Sequence, residues 1–100
     1  MLESLAINQR VCVIIPTYNN AKTLQRVVDA VLQYIPHVYV VNDGSTDATA
    51  SILSQYDQIV IINQPENRGK GKALQAGFKR ALEDGFDYAI TIDSDGQHYP

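Results

Sequence analysis

The chain reads as an α/β protein, a Rossmann-like parallel sheet with helices on both faces. Four short apolar runs recur along the sequence, and the gaps between them carry helical periodicity or helix-start signals. The runs are apolar at successive positions and do not alternate with polar residues, which is the pattern of strands covered on both sides and hence of a parallel sheet.

The strand runs are residues 11–15, 38–41, 59–62 and 88–92, each rich in Val, Ile or Tyr and bounded by polar turns. Between the first two, Leu24, Val27, Val28, Val31, Leu32 and Ile35 follow the i, i+3, i+4, i+7 spacing of an amphipathic helix, with Asn20 as N-cap and Pro36 as stop. The second gap opens with Ser45-Thr46-Asp47, a capping signal with an acid in the first turn, followed by Ile52, Leu53 and Tyr56. In the third gap Leu74, Phe78, Ala81 and Leu82 form the apolar face, closed by Gly85 where a left-handed residue is wanted. Strand and helix therefore alternate through right-handed crossovers, and ligands of such sheets bind beyond the carboxyl ends of the strands.

Composition narrows the function classes. One hundred residues make about one domain, and 45% hydrophobic with 19% charged residues is enough apolar material for a core. Eight basic against eleven acidic residues leave a net charge of −3, which excludes broad binding to a phosphate backbone and so a nucleic-acid partner. The single Cys12 lies inside an apolar run, the setting of a small buried thiol, and no disulfide framework exists. Residues 1–10 lack a basic start followed by an apolar stretch, and no run approaches the roughly 18 apolar residues that span a bilayer. A soluble chain in a reducing compartment, the cytoplasm, is expected.

Three polar clusters follow strands: Pro16-Thr17-Tyr18-Asn19-Asn20, Asn42-Asp43-Gly44-Ser45-Thr46-Asp47, and Asp93-Ser94-Asp95-Gly96-Gln97-His98. Any one of them is accounted for by turn chemistry. Three on one edge suggest a site. Along extended backbone, residues two apart point the same way, so Asp93, Asp95 and Gln97 can converge. Two close carboxylates repel unless a cation lies between them or one takes up a proton, and hard oxygen donors suit Mg²⁺ or Mn²⁺, commonly together with substrate phosphates. A fourth segment, Asn67-Arg68-Gly69-Lys70-Gly71-Lys72, gathers three basic residues and two glycines ahead of a helix. That is either a solvated basic turn or a place for phosphate, since helix N-termini accept anions. A lone His98 is more often structural than a ligand.

The segments VIIPTYNN, VVNDGSTD, NRGKGKALQAGF and DSDGQHYP, in that order, resemble the nucleotide-binding half of family 2 glycosyltransferases with the GT-A fold. Gln-His after the acidic pair is most similar to the polyprenyl-phosphate (dolichol-phosphate) mannose and glucose synthases. The resemblance implies an inverting, metal-dependent transfer of a sugar from a UDP- or GDP-hexose, with polyprenyl phosphate as an acceptor and Mg²⁺ or Mn²⁺ as cofactor. It assigns Pro16 and Tyr18 to the nucleoside pocket, Asp43 to the base as an acceptor, and Arg68 to their neighbourhood. Asp93 and Ser94 go to the ribose and diphosphate region, Asp95 is the chief metal ligand, and Asp93 and Gln97 complete the metal set. Asn20 departs from the pattern, because relatives often carry a Glu near the nucleoside, and the choice between uridine and guanosine stays open.

On this reading residues 1–10 are an N-terminal extension and 11–100 a truncated nucleotide-sugar-binding half. No catalytic residue falls in the chain, because the acceptor site and any base belong to a part beyond it, so the expectation is a transferase half inactive alone. A non-catalytic nucleotide-binding or assembly module is the alternative. A sheet ending on its site-bearing strand would expose an edge open to self-association. The full-length protein would act in the cytoplasm or at the cytoplasmic face of a membrane. A phosphoacceptor domain of flavodoxin-like topology wants an acidic pair after the first strand, where Pro16-Thr17-Tyr18 stands instead.

Overall fold

Runs of consecutive β-branched residues need cover on both faces, and the first two receive it. In the computed structural model, which describes residues 10–95, β1 (Val11–Thr17) and β2 (Val38–Asp43) are buried at every position. They form the centre of a four-stranded sheet of order β3-β2-β1-β4, with β3 (Ile59–Gln64) and β4 (Tyr88–Thr91) at its edges. All three pairings are parallel, and their register places Thr17 beside Asn42 and Asp43 beside Gln64 at the carboxyl rim.

The strand order fixes where the helices lie. From β1 to β2 to β3 the chain steps in one direction across the sheet, so right-handed crossovers put α1 (Ala21–Leu32) and α2 (Thr49–Leu53) on the same face. The last crossover returns past β2 and β1 to reach β4, and the same handedness throws α3 (Lys70–Glu83) onto the opposite face. Two cores result. Val13, Ile15 and Val40 pack under Leu24 and Val28 of α1 and Leu53 of α2. Cys12, Ile14, Tyr39 and Val41 pack under Ala73 and Ala81 of α3.

Several local expectations need correction. The α3 face presented to the sheet is Ala73, Gly77 and Ala81, whereas Phe78 is 44% and Leu82 is 75% exposed. Small residues face inward because the helix comes very close to the sheet: a Cβ on Gly77 would lie 2.5 Å from Ile14 Cγ2 and 3.3 Å from Val41 Cγ2. Gly77→Ala should therefore cost about 1–3 kcal/mol of stability by overpacking. Urea denaturation measures this, and an unchanged midpoint would show that the contact can relax.

At β4 the expectation of cover on both faces also fails, since Tyr88, Ala89 and Thr91 are exposed among the described residues. Helix α1 stops at Leu32, four residues before Pro36, and Ile35 joins the core from the turn that follows. At the end of α3, Gly85 takes the left-handed conformation expected of it, with φ +88°. Its N–H donates to Leu82 O and the Phe86 N–H to Ala81 O, the paired bonds of a Schellman motif.

The rim opposite the site is closed by polar and aromatic contacts. Arg10 Nε donates to Gly85 O (2.8 Å) while its guanidinium lies 4.8 Å from the centre of the Phe86 ring. Tyr39 Oη donates to Asp84 Oδ2 at 2.6 Å, and burial together with that bond pushes the phenol well above its ordinary range. Burial and the nearby Asp84 charge also raise the Cys12 thiol, which suits the inert buried role expected of it.

Candidate functional site

The strand order reverses between β1 and β4, and the carboxyl ends of these strands meet the start of α3 at one rim of the sheet, where ligands of parallel sheets bind. A cleft of about 290 Å³ lies there. Pro16, Thr17 and Tyr18 line it from the end of β1, Asp43 from β2, and Asp93, Ser94 and Asp95 from the end of β4. Gly69, Lys70 and Ala73 at the start of α3 complete one wall, with Asn20 and Asn67. Of the residues expected at the site, Pro16, Tyr18, Asp43, Asp93, Ser94 and Asp95 thus share one cavity. Arg68 is exposed and does not line it, though its backbone does anchor the wall. Gln97 and His98 lie outside the described residues.

Asp43 is the keystone of the α3 wall. Strand alternation turns it to the face of Tyr39 and Val41, toward α3. Its two carboxylate oxygens accept from Arg68 N–H and Gly69 N–H, each at 2.9 Å, and the residue is 3% exposed. These bonds to a buried charge are the strong kind. They fix the entry to α3, whose cap residue Gly69 has no side chain and sits at φ +96°. Lys70, the first residue of α3, extends Nζ to within 2.5 Å of Asp93 Oδ1.

The β1 side is built by a second set of bonds. Asn19 adopts φ +53°, a left-handed conformation to which Asn is suited, and its backbone N–H donates to Ser45 Oγ (3.0 Å) while its Oδ1 accepts from Thr46 N–H (2.8 Å). The loop carrying Tyr18 is thereby clamped to the loop after β2. Asp47 caps two helices at once: Oδ2 accepts from Ala21 N–H at the start of α1, and Oδ1 accepts from Thr49 N–H and the Thr49 hydroxyl at the start of α2. The Thr49 hydroxyl, then the backbone donors, hold this carboxyl below the usual aspartate range. Asn20, expected to cap α1 with its side chain, makes no such bond. Its Oδ1 lies 2.9 Å from Ser94 Oγ instead, the hydroxyl that also approaches Pro16 O at 3.1 Å. Ser94 is buried, and its carbonyl accepts from Thr23 Oγ1, so the acidic segment is moored to both β1 and α1.

Tyr18 stands 44% exposed at the mouth of the cleft, an aromatic face available to a flat ligand. Thr17 Oγ1 is buried without a hydrogen-bond partner in the lining, a cost of roughly 1–3 kcal/mol. The donor set fits a small divalent cation: Asp93 and Asp95 present hard oxygens to one cavity. Among the described residues no group of three or more His, Cys, Asp or Glu could hold a metal by itself. Two carboxylates are what Mg²⁺-type sites use when substrate phosphates supply further ligands. The sequence marks Gly69 and Lys70 only as part of a basic, glycine-containing segment that is either a solvated turn or a place for phosphate, and Thr17 only as part of the first polar cluster; the structure sets all three in the cleft.

Among the described residues no helix is long and apolar enough to cross a membrane. Comparison with known proteins agrees with the geometry. The chain is 36% identical over 99 residues to a polyprenol monophosphomannose synthase of Mycolicibacterium smegmatis, a match covering 92% of this chain and 37% of that protein. It is 33% identical over 97 residues to an undecaprenyl-phosphate mannosyltransferase of Micrococcus luteus, covering 91% and 40% respectively. The chain thus spans less than half the length of these relatives. Among solved structures, glucosyl-3-phosphoglycerate synthase from Mycobacterium tuberculosis, crystallised with Mn²⁺ and UDP-glucose, superposes with a TM-score of 0.70 at 25% identity. That superposition covers 94% of this chain and 36% of the other. The model of the family described as glycosyl transferase family 2 matches residues 12–100, and the chain belongs to that family.

Proposed function

We propose that this chain forms the donor half of a glycosyltransferase that moves a hexose from a nucleoside diphosphate, with inversion at the anomeric carbon. The observation that carries the reading is the meeting of Tyr18, Asp43, Lys70, Asp93 and Asp95 in one cleft at the β1–β4 reversal. An aromatic ring for a base, an ammonium for phosphate and paired carboxylates for a cation are the parts a nucleotide sugar requires. The similarity to a synthase crystallised with Mn²⁺ and UDP-glucose supports the donor class. The names of the two bacterial relatives support polyprenyl phosphate as acceptor.

In this reading Pro16 and Tyr18 hold the base, and Asp43, which keeps the α3 wall in place beside it, is also the base's hydrogen-bond acceptor. Asp93, Asp95 and Gln97 would hold a divalent cation, Mg²⁺ or Mn²⁺, which when bound supplies Lewis-acid stabilisation of the departing diphosphate. Lys70 adds a second positive charge where the leaving group gathers negative charge. The bond from anomeric carbon to diphosphate oxygen breaks as an acceptor oxygen attacks from the far side, with the acceptor site supplied outside this chain. The parent protein would work in the cytoplasm, at the membrane face where a polyprenyl phosphate is reached. The open β4 edge would admit a second copy of the chain or another strand.

Calorimetric titration of UDP and of GDP, each with and without Mn²⁺, tests the donor assignment. Metal-dependent heat with one of the two is expected. No metal-dependent heat with either would remove it.

A further inference from the structure

The contact between Lys70 and Asp93 puts a monovalent cation on one of the carboxylates proposed to hold a divalent one. Its significance rests on the donor-site reading and deepens it. Lys70 Nζ lies 2.5 Å from Asp93 Oδ1, with the lysine side chain 59% and the aspartate 26% exposed. This is a charge-assisted bond whose acceptor is sheltered in the cleft wall, and it is screened less than a fully solvated pair.

Nor is the lysine there by chance of a flexible tether. Its backbone follows directly on Arg68 and Gly69, whose N–H groups are both held by Asp43. Asp93 in turn precedes Ser94, which is moored to Pro16, Asn20 and Thr23. The two charged groups are thus brought together from two fixed pieces of backbone.

A divalent ion drawn to Asp93 and Asp95 meets the ammonium across a shared carboxylate. Like charges a few ångströms apart repel, so the ion must displace the lysine or bind beside it less tightly. A diphosphate changes the balance, because its negative oxygens serve the ion and the ammonium together.

We propose that Lys70 is an internal counter-ion of Asp93: it weakens divalent-cation binding to the nucleotide-free cleft and moves to the diphosphate when a nucleotide arrives. Metal and nucleotide then bind with positive coupling that runs through this one lysine. The coupling is reciprocal by linkage, so each ligand tightens the other by the same factor.

The test measures Mn²⁺ binding to the 100-residue chain by electron paramagnetic resonance of the free ion, with wild type, Lys70→Met and Lys70→Arg in parallel. UDP and GDP binding in saturating Mn²⁺ is then measured by calorimetry. Lys70→Met is expected to bind Mn²⁺ alone about fivefold tighter than wild type, or more, yet to bind the nucleotide more weakly. Lys70→Arg should behave as wild type. A lysine with only a structural role would not move the two affinities in opposite directions, and circular dichroism confirms that the variants are folded. Mn²⁺ binding no tighter in Lys70→Met than in wild type overturns the inference. If wild type still shows metal-dependent nucleotide binding in that case, the donor-site reading stands. If neither chain binds Mn²⁺ or nucleotide, both fall.

Discussion

A chain carrying Gly44→Ala is expected to lose a large share of its stability, because two independent penalties meet at this residue. Gly44 sits at φ +73°, where an L side chain costs roughly 1–2 kcal/mol. The added Cβ would also lie 2.4 Å from Asn67 N and from Glu66 C, and 2.8 Å from Glu66 Cα. These are backbone atoms that cannot rotate aside. The strand of loop formed by Glu66 and Asn67 would have to retreat, and it leads straight into Arg68 and Gly69, whose N–H groups satisfy the buried Asp43 carboxylate. Weakening bonds to a buried charge adds about 1.5–3 kcal/mol. The total, about 3 kcal/mol or more, is a large share of the roughly 5–15 kcal/mol that holds a domain together. Urea unfolding monitored by circular dichroism measures the loss, and a change below about 1 kcal/mol would mean the loop is free to shift.

The second large effect is expected on binding and not on folding. Asp95 is exposed at the lip of the cleft, and Asp95→Ala should remain folded by circular dichroism. Metal-dependent affinity for the nucleotide should fall at least roughly 100-fold, since losing even an outer partner of a metal site costs 10–100-fold. Asp95→Asn, which keeps the shape and one oxygen, should fall between the two. Calorimetry with Mn²⁺ and UDP or GDP measures both variants. Unchanged affinity in Asp95→Ala would take this carboxylate out of the site.

The contrast between these two residues marks what the sequence could and could not convey. Strands and helix α1 were legible because their burial is carried by large apolar residues at regular spacing, such as Val13, Ile15, Leu24 and Val28. Helix α3 was legible as a helix, and Ala81 and the partly buried Leu74 of its packed side with it, but Ala73 and Gly77 were not. Phe78 and Leu82 are the bulkier apolar residues, while the close approach to Ile14 demands Ala73, Gly77 and Ala81. Hydropathy ranks by size, and close packing here selects against it. The residues of the cleft were legible because they follow strand ends, which parallel topology gathers on one rim.

What supports those residues was not legible, because the partners are far apart in the chain. Asp43 holds an N–H 26 residues away at Gly69, and Asn20 meets Ser94 across 74 residues. The sequence puts Asp47 in the first turn of α2 as an acid, but it stands ahead of that helix, and its bond to Ala21 at the head of α1 has no local signature. Asn42 and Ser45 illustrate the local case, a side chain turning back to a backbone N–H three residues on.

The crevice lies at the carboxyl rim, where the strand order reverses between β1 and β4. In the strand that leads into it, Cys12, Ile14 and Ile15 are wholly enclosed. A ligand seated there rests on an incompressible anvil, with the buried, unpartnered Thr17 Oγ1 of the lining as the cost to the interior. The antagonism between a tight fold and a working pocket is relaxed only at its exposed lip, where a side chain such as Tyr18 can be exchanged with little thermal penalty.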